Sequence, residues 1–204
     1  MTKCVRSSEA TNYSMDRTLD LANNRWAIVL MNLLAVVGLF AFSWIALWVL
    51  WKLRPDAWTV VCTAMAWLVY RGIWADLLTI ILLYVVMIVF HEAIHGAGFW
   101  LFTRERPHFG LHLPSAAYAA APDWLLPRRQ HLIVGLAPFT VITVGGLILL
   151  PYLPPILAAG ALFIVVINAT GSVGDLLMVV WLLRQPRDVL VQDTGSAITT
   201  YRPR

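Results

Sequence analysis

The sequence is poor in charge. Of its 204 residues only 13% are charged while 60% are hydrophobic, and a water-soluble domain carries roughly a quarter charged residues. That deficit excludes an ordinary soluble surface and points to an integral membrane protein in a lipid bilayer. Cysteine is scarce too. Cys4 and Cys62 are far apart and belong to no CxxC or Cys/His cluster, which excludes a disulfide framework and a structural zinc site. No internal repeat is visible, which counts against a repeat-built transporter. The formal charge is +4, but the arginines flank apolar runs instead of forming a stripe among polar residues. No nucleic acid is expected as a partner.

What is present is a series of long apolar runs. Residues 1–24 are polar, carry Glu9, Asp16 and Asp20, and read as a flexible cytosolic tail, not a signal peptide. The first predicted span is 26–51, with no charge between Arg25 and Lys52. At 1.5 Å per residue it is roughly 39 Å long, enough to cross a ~30 Å hydrocarbon core with tilt. Residues 57–70 are short for a span and read as an interfacial or re-entrant element, a fifth short span being the alternative. Further spans are predicted at 73–102, 132–150 and 156–183. Between the second and third, Phe109 to Leu113 and Ala116 to Ala121 suit a short β-hairpin around Pro114-Ser115. In the tail, two β-prone runs surround Asp193-Thr194-Gly195 and suggest a second small hairpin.

The basic residues orient this arrangement. Lys3, Arg6, Arg17, Arg25, Arg104, Arg106, Arg128, Arg129, Arg184, Arg187, Arg202 and Arg204 fall on one side of a four-span model. Only Lys52, Arg54 and Arg71 fall on the other. By the positive-inside rule both termini are cytoplasmic, in a multi-pass protein of the cell membrane. The fold class expected is therefore all-α, with about four transmembrane helices, a hairpin-like loop and a small C-terminal hairpin.

The second span reads Val89-Phe90-His91-Glu92-Ala93-Ile94-His95-Gly96, an HExxH pattern. On a helix, i and i+4 share a face, so both imidazoles reach one ion. Glu92 stands beside them, placed to take a proton from a water and pass it to a leaving amine. Zinc at such a site lowers the pKa of that water to about 7 and polarises the scissile carbonyl. Each ionisable group in an apolar helix costs ~2.5–3.5 kcal/mol on insertion scales, so three on one helix mark a function.

A catalytic zinc takes three protein ligands and keeps a position open. The metzincin extension fails, because its third histidine position is Leu101. No glutamate follows Glu105, so the thermolysin-like ligand is missing as well. The candidates are His108, His112, Asp123, His131, Asp175, Asp188 and Asp193, of which only Asp175 lies inside an apolar span. His131, at the membrane surface, reads as interfacial. Counted along their helices, His91 and Asp175 lie roughly 13–17 Å from the cytoplasmic ends, at one depth. Asn168, two turns before Asp175, would hold an oxyanion or serve as interhelical glue.

These motifs resemble the DUF3267 family of membrane zincin peptidases. The likeness is carried by His91 to Gly96, the stretch from Phe109 through Tyr118 to Pro122, Leu136-Ala137-Pro138, Asn168 to Asp175, and Pro186 to Val191, across roughly residues 75–204. The family is in turn similar to site-2 proteases. That likeness implies zinc ligation by His91, His95 and Asp175, with Glu92 as general base. Asn168 is followed by Ala169 where the site-2 pattern has proline, and Gly174-Asp175 replaces its leucine-aspartate-glycine order. The function expected is a zinc metalloendopeptidase that cuts a membrane protein or peptide substrate in or near the bilayer. A non-catalytic metal-binding membrane scaffold is the alternative. Haem-based electron transfer is disfavoured, because one His pair four apart on a single helix cannot supply opposite axial ligands.

Overall fold

The computed structural model describes residues 4–21, 23–70, 73–112 and 116–204. They divide into two compact units. One comprises Met1–Leu33, His91–Pro138 and Val173–Arg204, and the other Leu34–Phe90 and Phe139–Ser172. Helix α1 runs Arg25–Leu53, α2 Pro55–Tyr70 and α3 Ile73–Thr103. The start of α1 is capped by Asn24, whose Oδ1 accepts the N–H groups of Trp26 (3.0 Å) and Ala27 (3.3 Å). Such a cap satisfies donors that the first helical turn leaves without partners. The helix stops before Arg54-Pro55, since a residue preceding proline is pushed out of helical conformation.

In the second unit, Ala46 and Leu50 of α1 and Ala57 of α2 pack with Leu150, Ala158 and Leu162. Arg54 joins these segments. Its guanidinium donates to the carbonyls of Leu150 (2.8 Å) and Leu153 (2.7 Å) and pairs with Asp56 at 2.7 Å. The other helical elements of this unit are a π-helical stretch Phe139–Val144, α5 Gly145–Leu149, a 3-10 turn Leu150–Tyr152 and α6 Pro155–Gly171. The first unit contains α4 Arg128–Pro138 and α7 Val173–Leu183.

Three helical stretches, Arg25–Leu53, Leu77–Thr103 and Arg128–Tyr152, are long and apolar enough to cross a membrane, and a fourth counts if α6 and α7 make one span. Large side chains on the first two are exposed, among them Val29, Phe40, Trp44, Leu82, Val89 and Phe90. The third stretch is not one regular helix. Pro138 carries no N–H and ends the α-helical ladder, and the chain continues with π geometry. The expected fourth span is broken at Ser172, whose N–H and hydroxyl both donate to the Asn168 carbonyl (2.9 and 2.8 Å) and close α6.

The all-α expectation is corrected by a five-stranded antiparallel sheet. Its strands are β1 Val5–Arg6, β2 Tyr13–Asp20, β5 Trp124–Pro127, β6 Leu190–Asp193 and β7 Ala197–Pro203, in the order β1-β5-β6-β7-β2. The C-terminal hairpin is present, with Leu190 opposite Tyr201 and Asp193 opposite Ile198, but it is the middle of this sheet. Residues read as a tail supply β2, which pairs with β7 from Tyr13↔Pro203 to Asp20↔Ala197, with an irregularity between Met15 and Arg17. Thr18 and Thr199 join their hydroxyls across it (3.2 Å), and Asp16 pairs with Arg202 (2.9 Å). Beneath the sheet, Val189 and Val191 pack on Met178, Val179 and Leu182 of α7. A separate hairpin pairs β3 His108–His112 with β4 Ala116–Ala120, in register from His108↔Ala120 to His112↔Ala116. Its Pro114-Ser115 turn, like Arg71, lies outside the described residues.

Removal of residues up to Asp20 is therefore expected to destabilise the protein. Losing the β2–β7 ladder and its cross-strand pairs removes on the order of 2 kcal/mol, which lowers the thermal midpoint by roughly 4–8 °C for a chain of this size. Thermal unfolding in detergent checks this, and a loose tail would leave the midpoint unchanged.

Candidate metal centre

The site is built within the first unit, from the C-terminal half of α3, from α4 and α7, from strand β4 and from the turn between β6 and β7. His91 and His95 are four residues apart on α3, and their rings meet edge to face with centroids 4.9 Å apart. Asp175 of α7 reaches both. Its Oδ2 is 3.1 Å from His91 Nε2, and its Oδ1 is 3.4 Å from His95 Nε2. One ligand atom from each residue can be chosen so that all three lie within 4.8 Å of one another. Both imidazoles are buried.

The tautomer of His95 follows from its second contact. Its Nδ1 stands 3.0 Å from the carbonyl oxygen of Val134 on α4. A carbonyl only accepts, so Nδ1 carries a proton, and the nitrogen left to lose its proton to a metal is Nε2, which faces Asp175. Metal-ligating histidines are oriented in this way, the distal nitrogen donating to a carbonyl or carboxylate.

These residues fit a zinc ion. Donor atoms about 2.0–2.1 Å from a tetrahedral ion stand ~3.3 Å apart, and the two histidine–carboxylate separations bracket that value. Two neutral imidazoles and one carboxylate leave a coordination position open, as in catalytic zinc sites. Glu92 lies on the same helix, with the Ala119 backbone of β4 beside its carboxylate. Gly96 permits that approach of the hairpin, since a Cβ there would lie 2.5 Å from the Phe109 ring.

Glu92, His95 and Asp175 open on a cavity of about 530 Å³ whose apolar lining includes Leu19, Ile28, Met31, Phe99, Val134 and Met178. His131 and Asp193 line it as well. His131 is 1% exposed, its Nε2 is 3.7 Å from Asp193 Oδ2, and its Nδ1 has no hydrogen-bond partner among the described residues. Asp193 Oδ1 accepts the N–H of Gly195 (2.8 Å). Gly195 has φ +83°, and a Cβ there would fall 2.3 Å from the Tyr118 ring, so only glycine suits both the turn and its neighbour. Burial is the main influence on the Asp193 carboxyl and pushes it up to about 6.

The other expected residues are placed differently. Asn168 belongs to the second unit, where it is 0% exposed and its Nδ2 donates to Thr143 Oγ1 (3.1 Å). His108 and Asp123 are exposed and 3.7 Å apart. Asp188 is exposed, and the His112 side chain lies outside what is described. Sequence reading set His131 at the surface because it follows Arg128-Arg129. Its burial comes from the fold, with the Phe99 ring 5.8 Å away. The His95–Val134 bond engages a backbone group and has no sequence signal.

Two buried histidines on a helix of membrane-crossing length, a carboxylate from the shorter α7 and a glutamate beside them define a zincin-like class of site. The chain belongs to the DUF3267 family, described as "Putative zincin peptidase", whose model matches residues 84–190. No curated protein and no solved structure matches it.

Asp193 generates a test of the cavity in the metal-free protein. A carboxyl whose folded pKa is raised contributes stability below its unfolded pKa of 3.8, and loses it as pH rises through about 6. Asp193→Asn keeps the acceptor for Gly195 and removes the ionisation. Its thermal midpoint is expected to match wild type near pH 4 and exceed it above pH 6, as read by scanning fluorimetry with chelator present.

Proposed function

We propose that this protein is a zinc metalloendopeptidase of the membrane, cutting a membrane protein or peptide substrate within or close to the bilayer. The observation that carries the reading is the convergence of His91, His95 and Asp175, with Glu92 beside them on the same helix. The three residues would hold zinc. When bound there, zinc supplies Lewis acidity to the attacking water and to the scissile carbonyl.

The chain's own residues do the rest. Glu92 accepts a proton from the water as its oxygen bonds to the carbonyl carbon. As the C–N bond breaks, Glu92 returns that proton to the leaving amine, so atoms and charge balance. The Val134 carbonyl holds a proton on His95 Nδ1, so that Nε2 is the nitrogen that would give up its proton to bind zinc. Among the described residues β4 pairs in a sheet only with β3, and its Ala117, Tyr118 and Ala119 line the cavity. An extended substrate would add to β4 through main-chain hydrogen bonds, which requires a helical segment to unwind first. The apolar cavity walls favour apolar side chains. Asn168 is assigned to interhelical packing through Thr143. The bias of Arg and Lys supports cytoplasmic termini in a cell membrane.

Glu92→Gln decides between an enzyme and a metal-binding scaffold. It is expected to retain zinc, measured by elemental analysis, while cleavage of a detergent-solubilised protein substrate falls by about 10²–10⁴-fold. A cellular phenotype that survives this substitution would favour the scaffold. Asp175→Ala, which removes a ligand, is expected to weaken zinc binding by more than about 100-fold. Equal zinc in that variant and wild type would mean the third ligand lies elsewhere.

A further inference from the structure

The carbonyl that orients His95 is not an arbitrary one. Val134 lies on α4, and in an uninterrupted α-helix its oxygen would accept the N–H of the residue four positions on. That residue is Pro138, which has no N–H to give. The proline ring also crowds the carbonyl four residues before it and tips that oxygen away from the helix axis. So the one oxygen of α4 that Pro138 cannot satisfy is the oxygen that stands 3.0 Å from His95 Nδ1. Val134 is 1% exposed. Its carbonyl is closed off from solvent, and the histidine fills the role the missing helical donor would have had. Directly after Pro138 the chain leaves α-helical geometry for the π stretch Phe139–Val144, the register change that a lost helical bond produces.

We infer that Pro138 is a positioning residue for the metal centre, freeing and aiming the Val134 carbonyl so that it fixes the orientation and tautomer of His95. The inference rests on the reading of His91, His95 and Asp175 as a zinc site. It goes beyond that reading by assigning a task to a residue that touches neither metal nor substrate. Any other amino acid at 138 restores an N–H whose natural acceptor is the Val134 oxygen. The carbonyl then swings back along the helix axis and shares its lone pairs, and His95 loses part of the bond that presents Nε2. The substitution has two consequences of opposite sign. The helix gains a hydrogen bond and loses a ring clash, while the metal centre loses its orienting contact.

The test compares full-length wild type with Pro138→Ala and Pro138→Leu, using Zn²⁺ alone as the probe. Competition with a calibrated chelator is expected to show zinc held 10- to 100-fold more weakly in both variants, the range for loss of a ligand's orienting partner. The thermal midpoint of the metal-free chain is expected to be unchanged or higher. A proline needed only for the fold would lower the midpoint instead. Equal zinc affinity in all three proteins overturns the inference and leaves the zinc site standing, whereas a wild type that takes up no zinc overturns the site beneath it. A second measurement needs no variant. ¹⁵N-histidine NMR of the zinc-loaded wild type is expected to place the His95 ring proton on Nδ1 and the metal on Nε2, and the reverse arrangement overturns the inference directly.

Discussion

Asp175 faces two imidazoles at once, and that shared carboxylate is the contact on which the first unit turns. Ionisable groups in apolar helices persist only when they are paired, because an isolated charge there is costly and an unmatched polar atom nearly as much so. The pairing ties α7 to the C-terminal half of α3 through His91 and His95. It draws in α4 as well, because His95 spends its other nitrogen on the Val134 carbonyl. Three helices are thereby fixed by the hydrogen-bonding capacity of one ring.

The sheet and the hairpin complete what the helices begin. β4 brings Ala119 to the cavity that Glu92 lines, and the turn between β6 and β7 brings Asp193 into it with His131. Asp193 is held by its own bond to Gly195, and Gly195 in turn accommodates Tyr118 of β4. The polar lining of the cavity thus depends on elements that are not helical, although most of the chain is.

Much of this was legible in the residues. The starts and ends of α1 and α3 follow from uninterrupted apolar runs closed by Asn24, Arg54-Pro55 and the polar stretch after Thr103. The motif on α3 is local, and so is the β3–β4 pairing. The remainder depends on partners distant in sequence. β2 reads Tyr-Ser-Met-Asp-Arg-Thr-Leu-Asp, and its alternation of Tyr13, Met15 and Leu19 with polar residues is broken by Arg17 and masked by the polar composition around it. Its stability comes from β7, through pairs such as Thr18 with Thr199. A hydropathy profile cannot register the loss of one backbone donor at Pro138 or the capping of α6 by Ser172, so both helices appear longer and more regular in sequence than they are. His131 shows the same limit, because its neighbours in sequence are arginines and its neighbours in space are Phe99 and Asp193.

The pairing of β2 with β7 also sets an order of events during synthesis. β2 precedes α1 in the chain, and its partner β7 follows α7. Until β7 is made one edge of the nascent fold is open, and the cavity lacks Asp193, Gly195 and Ile198 from its wall. A contact spanning so much chain is slow to close. The cavity beside His95 and Asp175 can therefore close only after β7 has been made, when α1 to α7 have already emerged.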